Sequence, residues 1–176
     1  WYTSHMAAPD VYCLPTDDLE PFLDRRRYSA FALSKLQVDS VLREILIKAN
    51  DFVPSSAGSI LMDRPLERGA DPSETELYFV ATFGPSAGEL LGRSIRADCG
   101  VVGFVYRTGG PYRMDNPTSD PNFFPKFDES SDFRTCGVVA VPIRIERTVC
   151  GVLELVNRLD GGSYTTKDLE LLEIFA

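Results

Sequence analysis

Residues 136–157 constrain the fold more than any other part of this sequence, because they have the pattern of two adjoining strands. A short polar turn at Glu146 and Arg147 separates two apolar halves, and β-branched residues dominate both, as a buried pleated surface favours. Apolar side chains occupy both faces of the first half: Val139, Val141, Ile143 and Ile145 on one, Val138 and Ala140 on the other. Strands that are apolar on both faces are typical of the middle of a sheet. We therefore predict a central hairpin that is covered on each side.

One residue of the second half breaks the apolar pattern. Glu154 stands between Leu153 and Leu155, where a buried carboxylate without a partner costs several kcal/mol, roughly, or takes up a proton instead. We predict that Glu154 has a partner. Two kinds remain open: an internal residue, such as Arg113, Arg134 or a threonine, or a ligand that carries hydrogen-bond donors.

Charge and composition exclude several functions. A net charge of −8 argues against binding a nucleic-acid backbone, which needs clustered Lys and Arg. No apolar run approaches the ~18 residues that span a bilayer, and no signal peptide is visible. We expect a cytoplasmic protein without membrane insertion.

The histidine and cysteine content excludes further chemistry. Residues 1–6 end in Ser-His-Met, which resembles a cloning remnant, and they hold the single histidine of the chain, His5. The rest of the chain therefore has no histidine for a metal site or a Ser-His-Asp triad, and we expect no metal and no cofactor. The cysteines show no CxxC spacing and are expected to be reduced thiols: Cys13, Cys99, Cys136 and Cys150.

Along the chain, residues 7–35 read as a linker with a short helix that Asp18 caps. A longer amphipathic helix is predicted over residues 34–53, with strands over 57–62 and 76–83. Asp98 has the character of an N-cap for a helix through Tyr106 that ends at Gly109. Strands that first alternate with short helices and then form a hairpin indicate an α+β fold with an antiparallel sheet.

Two further segments are distinctive. Residues 116–133 combine polar breakers with four phenylalanines, which favours either a loop folded on its own rings or a cover over a ligand. A last helix starts near Thr165 and reaches the final residue without a stop signal, so we expect it to continue further.

From residue 36 to 176, the sequence resembles a GAF domain, and more narrowly the tandem GAF domains of cyclic nucleotide phosphodiesterases and bacterial adenylate cyclases. The resemblance rests on IRADCGVVGFVYRTGGPYRMD, on Phe133-Arg134-Thr135 and on GVLELVNR within the hairpin. It implies a central antiparallel sheet of about six strands with helices on both faces, and N- and C-terminal helices packed together.

The family's nucleotide-binding members carry an Asn-Lys, Phe and Asp-Glu motif, which this chain matches in part. Here it reads Asn157-Arg158, then Tyr164, then Asp168-Leu169, so that leucine replaces the final glutamate. The resemblance makes Asn157, Arg158, Tyr164 and Asp168 a structural clamp with no direct contact to ligand, in which Arg158 and Asp168 form a salt bridge.

The resemblance also places ligand contacts at eight positions: Phe83, Val101, Val102, Phe124, Asp128, Ser131, Thr135 and Glu154. The family's phosphate and ribose contacts fall at the helix N-terminus beside Gly100, where free amides favour an anion. Filling of the core by Phe83 and Phe124 is the alternative for those two rings. Gly84 replaces a guanine-facing aspartate of one family member, which favours cAMP over cGMP.

Three functions remain in competition. The first is a non-catalytic sensory domain that binds a small ligand, cAMP or cGMP, and controls an attached output domain by signal transduction. The second is a degenerate GAF domain that only dimerises. The third is an enzyme like the free methionine sulfoxide reductases, with Cys99 and Cys136 near the pocket. We favour the first, and expect a homodimer through the terminal helices.

Overall fold

A computed structural model describes residues 7–23, 37–123 and 133–176 and confirms the α+β fold. The strands are β1 Tyr12–Cys13, β2 Ser55–Asp63, β3 Glu76–Phe83, β4 Ser94–Arg96, β5 Tyr112–Met114, β6 Val138–Ile145 and β7 Thr148–Arg158. The α-helices are α1 Thr16–Leu19, α2 Val38–Phe52, α3 Ala87–Leu90, α4 Gly100–Thr108 and α5 Thr166–Glu173, and three 3₁₀ turns are Glu20–Phe22, Pro65–Glu67 and Pro72–Glu74.

In the part of the chain that the structure describes, these strands form one antiparallel sheet. Its order is β1-β3-β2-β7-β6-β5, and β4 pairs with the end of β3 that β1 leaves open. The predicted hairpin is β6 and β7, and it turns at Glu146, whose φ of +56° is left-handed. β7 lies between β2 and β6, so the acidic residue of the hairpin stands in the middle of the sheet.

Both faces of the hairpin are buried, as its two apolar faces predict. Val139, Val141 and Leu155 pack towards α2 and α5, whereas Val138 and Ala140 pack towards α4. Helices therefore cover both faces of the sheet.

The terminal helices lie side by side, because α2 buries a stripe of Leu42, Leu46 and Ala49 and leaves other apolar residues outward. Contact between the two helices includes the rings of Phe52 and Phe175, whose centroids are 5.5 Å apart. The helix is shorter than the predicted 34–53; residues 34–36 lie outside the described part of the chain.

The N-terminal region differs from the prediction. Within the expected linker, Tyr12 and Cys13 form a strand on Thr82 and Ala81 of β3. Asp18 lies inside α1 instead of capping a helix, and Pro15 is the N-cap. Leu19 and Phe22, which no periodicity marked, are buried in the core beneath α2. A two-residue strand is too short to leave a pattern in the sequence, so only pairing with β3 reveals it.

Candidate functional site

A cavity of about 140 Å³ lies between α4 and the sheet. Room on this scale holds on the order of ten water molecules, so the described side chains do not pack it solid. The lining is mostly apolar: Ala57, Gly58, Ser59, Phe79, Phe83, Pro85, Leu90, Ile95, Gly100, Val101, Val102, Phe123, Phe133, Thr135, Val138, Glu154 and Val156. Arg and Lys are absent among these described lining residues.

Small side chains across the sheet create this space. Glu154 pairs with Ser59 of β2 on one side and with Ala140 of β6 on the other. Side chains directly opposite one another in a sheet lie roughly 4.5–5.5 Å apart at Cβ, so a large residue at either position would fill the space beside the carboxyl. Gly58, the neighbour of Ser59, lets the Phe83 ring lie against β2, because a Cβ there would be 2.5 Å from that ring.

Glu154 projects into the cavity, and its environment is unusual for an acid. It makes no hydrogen bond or ion pair with any residue that the structure describes. Arg113, an expected internal partner, instead donates to the Tyr164 carbonyl at 2.9 Å, and Arg134, the other, is exposed. Burial in the apolar lining raises the pKa of the Glu154 carboxyl from 4.5 to about 7. Of the two kinds of partner expected, the described residues supply no internal one.

The N-terminus of α4 forms one wall. The helix begins at Gly100, and its first helical hydrogen bond runs from the Gly103 amide to the Cys99 carbonyl at 3.0 Å. Cys99 is the N-cap and its side chain caps no amide, so the amides of Gly100, Val101 and Val102 are not used by the helix.

The prediction that Asp98 is the N-cap of α4 is wrong, because Cys99 holds that position. The Asp98 carboxylate lies 3.1 Å from Arg96 Nε and accepts from the Cys99 thiol at 3.3 Å. A turn closed by Cys99 N–H and the Arg96 carbonyl delays the helix by one residue beyond the expected cap.

The cavity brings together five of the eight predicted contacts: Phe83, Val101, Val102, Thr135 and Glu154. Phe83 also belongs to the hydrophobic core, so its two interpretations are compatible. Phe124, Asp128 and Ser131 lie outside the described residues.

Sequence reasoning missed several lining residues, above all Ser59 and the aromatic residues Phe79 and Phe123. The run Ala57-Gly58-Ser59, three small residues in a strand opposite the acidic residue, is the signal that could have indicated the space.

The residues of the expected clamp meet beside the cavity. The Arg158 guanidinium contacts the Asp168 carboxylate, which is 8% exposed. Burial opposes ionisation of Asp168, but the Thr165 amide and Arg158 outweigh it and hold the pKa of that carboxyl below its usual range. The Tyr164 hydroxyl and the Ser55 hydroxyl hydrogen-bond at 2.7 Å. These contacts join α5 to β2 and β7.

The cysteines are free thiols in the described chain, and none of them is among the residues that line the cavity. Cys136 is exposed, whereas Cys13 and Cys150 are buried. Burial raises the pKa of each of these two thiols to about 11, which makes them poor nucleophiles. No group of residues that could hold a metal ion occurs among the described positions. Nor does any described helix have the length and apolar character needed to cross a bilayer.

Comparisons with known proteins agree with the fold. The family model for the GAF domain matches residues 35–176. A probable 3',5'-cyclic phosphodiesterase, pde-5 of Caenorhabditis elegans, is 34% identical over 86 residues, which is 48% of this chain and 12% of that protein. The dual 3',5'-cyclic-AMP and -GMP phosphodiesterase 11A of Takifugu rubripes is 34% identical over 76 residues, 43% of this chain and 8% of that protein.

Solved structures extend the likeness to the whole domain. A methyl-accepting chemotaxis protein, residues 122 to 287, superimposes with a TM-score of 0.62 at 25% identity, covering 78% of this chain and 83% of that one. The match to the phosphodiesterases spans only a small part of their length.

The architecture is thus an antiparallel sheet with a recess of about 140 Å³ under a short helix. This chain belongs to the GAF domain family, whose members are regulatory domains that bind small molecules.

Proposed function

We propose that this chain is the sensory domain of a larger cytoplasmic signalling protein, and that its cavity binds a cyclic nucleotide. One observation carries the proposal: an apolar cavity holds a single carboxyl, Glu154, that has no partner among the described residues. A partly buried carboxyl in an apolar lining gains from any group that supplies hydrogen bonds to it, and a ligand that enters the cavity in place of water can do so. A purine, with its polar rim and apolar faces, is such a ligand.

The two ends of a cyclic nucleotide fit different walls. The phosphate would meet the free amides of Gly100, Val101 and Val102, because helix N-termini attract anions and the described lining offers no cation. The base would lie towards Glu154 and Thr135, with Phe83 among the apolar surfaces.

The protonation of Glu154 favours adenine, hence cAMP. With a pKa of about 7, a large share of the carboxyl is protonated near neutral pH and presents one donor and one acceptor. Adenine offers the complementary acceptor N7 and donor N6–H, whereas the N–H donors of guanine match an ionised carboxylate. Gly84 also favours cAMP, because an aspartate that could bind guanine does not fit at this position. The φ of Gly84 is +104°, and a Cβ added there would lie 2.6 Å from the Ser56 carbonyl.

Binding would alter the terminal helix through β7. This strand carries Glu154 into the cavity and, four residues later, Arg158 onto Asp168 of α5. Ligand pockets usually measure about 300–1,000 Å³, so the cavity must widen to admit a nucleotide. A ligand that prefers the widened state shifts the population towards it, and α5 would pass the change to an output domain.

We further propose that the domain forms a homodimer through its terminal helices. Val41, Phe52 and Ile174 on α2 and just after α5 are 51%, 55% and 73% exposed, although all are large and apolar. Sedimentation should show a dimer that Val41→Lys weakens, whereas a monomer at all concentrations would exclude it.

Calorimetric titration with cAMP and cGMP tests the ligand, after mass spectrometry has excluded nucleotide carried through purification. We expect saturable binding, tighter for cAMP, that Glu154→Ala and Thr135→Ala each weaken at least roughly tenfold. Glu154→Gln should keep cAMP binding, because an amide also presents one donor and one acceptor side. Thr148→Ala, at an exposed position on the far end of β7, is the control. The absence of binding to either nucleotide would refute the proposal.

A further inference from the structure

Asn157 makes an unusual set of contacts at the end of β7. Its side-chain oxygen accepts from the amides of Cys136 and Gly137, at 2.6 and 3.2 Å, and its side-chain nitrogen donates to the Arg134 carbonyl at 2.7 Å. Its own amide donates to the Gly137 carbonyl at 2.9 Å. One residue thus holds the backbone on both sides of Thr135, at three neighbouring positions.

The backbone of Asn157 explains why this side chain can reach so far. Its φ of +58° is left-handed, a region that asparagine adopts far more readily than most residues. The pairing of β6 with β7 ends at Val138 and Val156. The left-handed backbone of Asn157 then directs its side chain towards residues 134–137. The amide group there replaces the ladder bonds that a continued strand would have made.

We propose that Asn157 is a positioning residue that holds Thr135 and Phe133 in the wall of the cavity. Both line the cavity, and the chain that carries them has no regular secondary structure of its own up to β6. Asn157 itself does not line the cavity, so it acts through its neighbours. The part of this proposal that concerns ligand affinity rests on the proposed function.

Three variants separate the contributions. Asn157→Gly keeps the left-handed backbone but loses all three side-chain bonds. Asn157→Asp keeps an acceptor for the two amides but loses the donor to Arg134. Asn50→Ala is the matched control, because it removes a similar bond, from the Ser55 amide to Asn50 Oδ1 at 2.9 Å, away from the cavity lining.

The first measurement needs no ligand. Amide hydrogen exchange of Cys136 and Gly137 should accelerate roughly tenfold or more in Asn157→Gly, and less in Asn157→Asp, beyond any change that matches the loss of global stability. Asn50→Ala should change these two amides only in step with global stability. If the exchange rates of these two amides change equally in Asn157→Gly and Asn50→Ala, the positioning role is overturned. A residue that only adds global stability would affect the amides no differently from Asn50.

The second measurement is titration with cAMP and cGMP. If the wild type binds, Asn157→Gly should weaken binding roughly tenfold while Asn50→Ala stays within about twofold. Unchanged affinity in Asn157→Gly would overturn the proposal. If the wild type binds neither nucleotide, the proposed function fails, and the exchange data alone decide whether Asn157 holds residues 134–137.

Discussion

The most direct test of the site is the stability of Glu154→Gln as a function of pH, without ligand. The carboxyl has a pKa near 7 when folded and 4.5 as the reference for the unfolded chain. Between these values the folded state keeps a proton that the unfolded state has lost, so wild-type stability falls as pH rises from 4.5 to 7. Above about pH 8 the loss is complete. Glutamine carries no such proton, so the variant lacks this component of the pH dependence.

The size of the effect follows from the two pKa values. Between pH 5 and pH 8 the wild type should lose about 2.5 kcal/mol relative to the variant, as an upper value if water enters the cavity. At about 2–4 °C per kcal/mol for a chain of this size, the melting temperatures should diverge by roughly 5–10 °C. Glutamine should therefore be the more stable residue at pH 8, whereas the two proteins should be similar at pH 5.

Urea unfolding at several pH values measures this difference, since the subtraction cancels the other titrating groups. Glu170→Gln, on the exposed face of α5, is the matched control and should give curves parallel to wild type. Parallel curves for Glu154→Gln would show that the carboxyl is hydrated or paired, and would refute the argument from an unpartnered acid.

Three further substitutions test how the site is supported, each by urea unfolding at pH 7. Arg158→Ala should cost about 2–4 kcal/mol, because it leaves the Asp168 carboxylate buried without its cation; a loss below about 0.5 kcal/mol would mean the pair is a surface contact. Tyr106→Phe should cost about 1–2 kcal/mol by removing the hydroxyl that donates to the buried Asp63 carboxylate at 2.5 Å; no loss would show that Arg68 satisfies Asp63 alone. Leu153→Ala should cost about 2–5 kcal/mol, since its side chain is fully buried, and a smaller loss would contradict a central position for β7.

The hairpin shows what local pattern can determine. Period-two apolar residues on both faces of β6 required a central position with cover on each side, and the structure has both. The same pattern marks Glu154 as an inward acid. These features depend on neighbours along the chain, which a sequence states directly.

The first residues of the helices were predicted less accurately than the strands, because more than one residue near each helix start can serve as the N-cap. Asp98 and Asp18 have the chemistry of an N-cap, but a turn before α4 and Pro15 before α1 set the actual starts. Backbone hydrogen bonds determine which residue becomes the N-cap. Which backbone groups form those bonds depends on the fold rather than on residue type.

Taken alone, the sequence determined a two-sided sheet and one inward carboxyl, and its resemblance to the GAF family implied the pair of Arg158 and Asp168. Tertiary structure decided what surrounds that carboxyl: Ser59 and Ala140 came beside it from two other strands, and Arg113 was held away by the Tyr164 carbonyl. It also brought Asn157 across to residues 134–137. Strand register sets which distant residues become neighbours, and register is fixed by the packing of the whole sheet. A cavity is therefore a property of the assembled fold, and no single segment encodes it.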